Sequence, residues 1–154
     1  MKVCTDATLF GAMAPILGGE KVLDIGTGTG LLALMAAQLG AGRITAVELT
    51  REAYEEACAN FSTSPWAEKL HAIHPDIRDY ATGAEGKFDL IVCNPPFFDQ
   101  HSKSADDLRS LARHTDQLPY ADLLASVDKL LTAEGLFHVL LPVHAVVAFA
   151  EGAN

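Results

Sequence analysis

The chain has 154 residues, 49% of them hydrophobic and 20% charged, which suits one globular domain with a substantial core and excludes a disordered chain. A formal net charge of −9 excludes a protein that holds nucleic acid mainly through clustered Lys and Arg on phosphates. It leaves room for a local contact with a single base. The apolar runs are too short to span a membrane, and Met1–Asp6 lacks the pattern of a signal peptide. Cys4, Cys58 and Cys93 form no C-x-x-C pair, so a disulfide framework or a zinc site is not expected and a reducing cytoplasm is.

Short β-rich runs alternate with helical runs, the pattern of a parallel α/β sheet. A first helix is expected over Thr5–Leu17, capped by Thr5 or Asp6, and a strand over Lys21–Ile25. Thr29–Leu39 reads as a helix stopped by Gly40, and Ile44–Leu49 as a second strand. Thr50 is the expected cap of a helix over Arg51–Phe61, and Ser62–Pro65 a loop. Leu70–His74 and Phe88–Cys93 are the third and fourth strands. A helix over Ala105–Arg113 with Ser104 as cap follows, then an amphipathic helix over Tyr120–Leu131. Gly135 leads into a fifth strand, Leu136–Leu141, and another helix begins near His144. The fifth strand is expected to leave an apolar sheet edge, open to a protein partner or a second copy.

Chemistry concentrates where strands end. Asp24-x-Gly26-x-Gly28-x-Gly30 joins a strand to a helix. Glycines let backbone approach a ligand, and the helix start offers free N–H groups. An Asp at the strand end repels phosphate but suits a cation. S-adenosylmethionine, with an ammonium, a sulfonium and a single carboxylate, meets those terms. The plain alternative is an ordinary glycine turn. Glu48, at the end of the second strand, is placed to accept both ribose hydroxyls; otherwise it is a surface acid at a helix start. Asp76, after the third strand, is a candidate acceptor for the adenine amine of the cofactor, with Asp79 competing and a helix cap as the alternative.

Asn94-Pro95-Pro96-Phe97 closes the fourth strand. The exocyclic amine of adenine is a poor nucleophile because its lone pair is delocalised. The Asn94 side-chain oxygen and the Pro95 carbonyl can accept its two N–H bonds and help localise that pair. Pro96 locks the corner and Phe97 can stack on a base. Read alone, the motif is equally a strand-ending turn, with Phe97 and Phe98 in the core. His71 and His74 point to opposite faces of a strand, so no metal site is expected. Arg113-His114 suits either a helix end or a phosphate contact.

Four stretches together resemble the bacterial tRNA (adenine-N6) methyltransferases, which modify the adenine next to the anticodon of valine tRNA. They are Lys2-Val3-x-Thr5-Asp6, Val22–Gly30, Phe88–Phe98 and Ala112-Arg113-His114-Thr115. The glycine loop is common to Rossmann-like methyltransferases. The Asn-Pro-Pro-Phe corner is shared by adenine-N6, guanine-N2 and glutamine methyltransferases, and the first and last stretches narrow the likeness. The resemblance implies an α/β, Rossmann-like S-adenosylmethionine-dependent methyltransferase, with a mostly parallel sheet and helices on both faces. It implies cofactor binding by Thr5, Asp24, Gly26, Gly28, Gly30, Glu48, Asp76 and Asn94, and an amine held by Asn94, Pro95, Pro96 and Phe97. Members of that family begin earlier and continue further. Residues 1–154 are therefore expected to form a single domain that is short at both ends and lacks two closing strands. A guanine or glutamine acceptor, or a cofactor-binding remnant that needs a partner, are the rival readings.

Overall fold

The computed structural model describes residues 5–84, 86–95 and 118–152. Five strands form one sheet: β1 (Lys21–Ile25), β2 (Arg43–Val47), β3 (Leu70–Ile73), β4 (Phe88–Cys93) and β5 (Leu131–Val139). Their order is β3-β2-β1-β4-β5, and every pairing is parallel. Parallel strands need crossovers, which the helices supply.

The helices are α1 (Thr5–Ala12), α2 (Leu31–Leu39), α3 (Arg51–Ser62), α4 (Ile77–Gly83), α5 (Tyr120–Leu130) and α6 (Val143–Gly152). They cover both faces, so the strands bury residues of either parity. Val22, Ile44, Ala46, Leu90 and Val92 pack with Phe10 of α1, Ala33 of α2 and Phe61 of α3. Leu23, Ile25, Phe88 and Ile91 pack with Ile77 of α4, Leu123 and Val127 of α5, and Phe149 of α6. Alternation along β1 therefore puts Asp24 on the face of α1, α2 and α3.

Several boundaries move from the expected positions. α1 ends at Ala12, not Leu17, because Pro15 has no N–H and disfavours helical backbone in Ala14. α2 begins at Leu31, two residues after Thr29, because Gly28 and Gly30 take positive φ. β2 runs from Arg43 to Val47 and β3 stops at Ile73, so Glu48 and His74 both lie just past strand ends. The largest shift is β5, which begins at Leu131 and contains Gly135 instead of following it. Phe88 pairs with Leu131 but Leu90 pairs with Leu136, so β5 bulges against β4.

β5 is an edge strand, and its Leu136 is 54% exposed. His138 ties this edge to α1. Its ring stacks on Phe10 with centroids 4.1 Å apart and planes 3° from parallel, and its Nε2 lies 3.2 Å from the Phe10 carbonyl oxygen. The expected helix over Ala105–Arg113 and its Ser104 cap lie outside the described residues. No helix among the described residues is long and apolar enough to cross a membrane.

Candidate functional site

From β1 the chain moves to β2 and β3 on one side, and it crosses to β4 and β5 on the other. The strand order thus reverses between β1 and β4. In open α/β sheets, a crevice outside the carboxyl ends at such a point receives ligands. Ile25 pairs with Cys93, so Gly26 and Asn94 follow the last rung on either side of that crevice.

The glycine turn is built tightly on one side and open on the other. The Gly26 and Thr27 N–H groups donate to the Val47 carbonyl at 2.9 and 3.1 Å, which pins the turn to β2. Gly26 has φ 70°, and a Cβ there would meet nothing within 4 Å. It forms an exposed cradle that a side chain would fill. Gly30 is the reverse case. Its φ is 87°, and a Cβ would run into the Phe61 ring of α3. Gly28, with φ 59°, is buried between them.

Asp24 is fully buried. Its Oδ2 accepts the Thr27 hydroxyl at 2.6 Å, while its Oδ1 has no hydrogen-bond partner among the described residues. Burial pushes its pKa up to about 7. The Thr27 hydroxyl and the Ala33 N–H at the start of α2 oppose that rise, and Glu48 adds to it. Cys93 on the neighbouring strand is also buried, and burial, followed by the nearby Asp24, drives its thiol pKa upward.

Glu48 is buried at the end of β2, not exposed as a plain helix-start acid would be. Its Oε2 accepts the Gly28 N–H at 2.9 Å. Its Oε1 accepts both the N–H and the hydroxyl of Thr50 at 2.9 Å. Thr50 occupies the first cap position of α3, but its side chain makes no capping bond; the hydroxyl turns to Glu48 instead. The Glu48 carbonyl lies 2.9 Å from His74 Nδ1, and the His74 ring stacks on Tyr54 at 5.2 Å.

Asp76 caps α4, accepting the Arg78 N–H at 2.8 Å. It is half-buried, whereas its competitor Asp79 is exposed on the helix. The Arg78 side chain holds its pKa below the usual carboxylate value. Asn94 and Pro95 are half-buried beyond β4, and the Cys93 carbonyl accepts the Leu140 N–H at 3.1 Å. Thr5 opens α1 and is exposed. Pro96, Phe97, Arg113 and His114 lie outside the described residues.

The sheet therefore gathers Asp24, the glycine turn, Glu48, Asp76 and Asn94 at one end. Thr27 and Arg78, which join these acids by hydrogen bonds, are not singled out by the sequence, and Thr50 is expected there only as a helix cap. A hydroxyl or guanidinium two or three residues after each acid was the available signal.

The family model for the methyltransferase small domain matches residues 7–118, most of the chain. The chain belongs to the methyltransferase small domain family. It is 42% identical over its whole length to the tRNA1(Val) (adenine(37)-N6)-methyltransferase of Flavobacterium psychrophilum, of which it covers 67%. It is 43% identical, again over its whole length, to the protein of that name from Cytophaga hutchinsonii, of which it covers 65%. The chain thus spans about two thirds of the length of these relatives. Its fold is also that of the ribosomal protein L11 methylase from Lactobacillus delbrueckii subsp. bulgaricus, with a TM-score of 0.64 and 22% identity over 96% of this chain and 65% of that one.

As a methyltransferase small domain, the chain carries residues that fit S-adenosylmethionine. Among the described residues the buried Asp24 Oδ1 has no donor, and the Gly26 cradle is open to a ligand that brings one. The neighbouring acid Glu48 favours a cationic ligand over a phosphate.

Proposed function

We propose that this chain carries out S-adenosylmethionine-dependent methyl transfer to the exocyclic N6 amino group of an adenine in tRNA. The observation that carries the reading is the juxtaposition across the β1/β4 reversal. An acid-lined glycine turn stands on one side and Asn94-Pro95 on the other. The adenine acceptor in tRNA rests on the relatives' names, and with it a cytoplasmic setting.

When bound, the cofactor supplies an electrophilic methyl group on a sulfonium centre. Asp24 and the turn through Gly26, Gly28 and Gly30 hold its amino-acid end. Glu48 would accept from the ribose, and Asp76 from the adenine amine, with Thr5 helping from α1. Asn94 would contact both ligands. Its side-chain oxygen and the Pro95 carbonyl accept the two N–H bonds of the target amine, turning the nitrogen lone pair toward the methyl carbon. Pro96 and Phe97, outside the described residues, would set the corner and stack on the base. Positioning would supply the rate, because the amine needs no strong base before transfer: as the C–N bond forms the C–S bond breaks, the neutral thioether S-adenosylhomocysteine is the leaving group, and the methylated nitrogen then loses its proton to water.

Incubation with unmodified tRNA and the cofactor, followed by nucleoside mass spectrometry, tests the reading. N6-methyladenosine is the expected product. Methylated guanine would move the acceptor, and a chain that binds cofactor but methylates no tRNA would be a binding module.

A further inference from the structure

Arg78 lies outside every motif that marks the site, yet it grips one of the candidate acids with three donors. Its backbone N–H and its Nε donate to Asp76 Oδ1 at 2.8 and 2.9 Å, and its Nη2 donates to Oδ2 at 2.6 Å. Its Nη1 forms an ion pair with Asp122 Oδ2 on the first turn of α5 at 3.5 Å. A carboxylate offers about four lone-pair positions. Arg78 fills both on Oδ1 and one on Oδ2, so a single acceptor position remains, and its direction is fixed by a planar fork. Asp122 holds the fork from the far side, which joins α4 to α5.

We infer that Arg78 is a positioning residue for the cofactor's adenine: it locks the Asp76 carboxylate so that the last lone pair of Oδ2 is presented to the 6-amino group. The inference rests on the reading of Asp76 as the adenine acceptor. A lone pair held in one direction favours a donor there and rejects an acceptor. Arg78 thereby sets the preference for a 6-amino over a 6-oxo purine, without touching the ligand. A merely structural ion pair would change the affinity for both purines alike.

The test uses S-adenosylhomocysteine and S-inosylhomocysteine, its 6-oxo counterpart, titrated calorimetrically into the full chain. The wild type should prefer the amino form. Arg78→Ala should weaken S-adenosylhomocysteine roughly tenfold while leaving S-inosylhomocysteine nearly unchanged, so that the preference collapses. Arg78→Lys keeps the charge and the backbone donor but loses the fork, and should show the same selective loss. It also serves as the second variant if the alanine protein folds poorly. Equal losses for both ligands, or an unchanged preference in both variants, would overturn the inference alone. A wild type that binds both ligands equally would overturn the placement of Asp76, and the inference with it.

Discussion

The Glu48 carboxylate accepts the Gly28 N–H at 2.9 Å, across twenty residues of chain and from one strand end to its neighbour's loop. This bond fixes the glycine turn to β2 before any ligand arrives. It also puts under one constraint the two elements proposed above for the amino-acid end and the ribose of the cofactor. Glu48→Ala removes three accepted bonds and leaves the buried Gly28 N–H without its partner. Stability should fall by about 1–3 kcal/mol in urea unfolding. Cofactor affinity should fall as well. Loss of affinity with full stability would show that Glu48 serves only the ligand.

Asp24 couples pH to both folding and binding. In the folded chain it keeps its proton up to about pH 7, against its ordinary value of 3.8. The folded state therefore binds more protons than the unfolded state in that window, and stability from this group falls as pH rises across it. The difference corresponds to roughly 4 kcal/mol. Asp24→Asn should remove that slope, which subtracting its stability–pH curve from that of the wild type will isolate. Binding of a ligand ammonium, which favours the ionised carboxylate, should strengthen as pH rises through about 7 in the wild type only.

Gly26 and Gly30 should separate turn geometry from packing. Both have positive φ, so alanine costs about 1–2 kcal/mol at either position. Only at Gly30 does the new Cβ also strike Phe61. Gly30→Ala should be the less stable variant on thermal unfolding, and Phe61→Leu should recover part of the difference. Gly26→Ala should lose mainly cofactor affinity, since its Cβ enters the open cradle. Equal melting temperatures for the two variants would contradict the packing argument.

Asn94→Ala tests the amine clamp. An acceptor used mainly in the transition state lowers kcat, and kcat/KM with it, while ligand affinity stays near the wild-type value. A fall on the order of 10²-fold in tRNA methylation is expected, by analogy with the loss of one polar group from a preorganised site. Equal loss of cofactor affinity would assign Asn94 to the cofactor alone.

Much of the architecture is local and readable in order. The β-rich runs, the glycines after Asp24 and the prolines after Asn94 mark strands and their ends through backbone restrictions that each residue carries itself. Boundaries shifted for two reasons, one local and legible, the other a pairing distant in the chain. Pro15 ends α1 several residues before Leu17, and the β5 bulge depends on pairing with β4. The motif residues Pro96 and Phe97 were legible too, but lie outside the described residues.

By itself, the sequence determined the α/β class, the acid–glycine turn and the end of β4 at Asn94-Pro95, because periodicity and backbone breakers are properties of neighbouring residues. Only the tertiary structure decided that β1 and β4 are adjacent, and that Glu48 closes on Gly28. It also showed that Asp24 is buried with one oxygen unpartnered among the described residues, and that Asp122 meets the far side of the Arg78 guanidinium that holds Asp76. Those facts depend on which groups meet across the sheet and how little water reaches them. Hydrogen-bond partners distant in the chain and desolvation are set by packing, and no spacing along the chain encodes them.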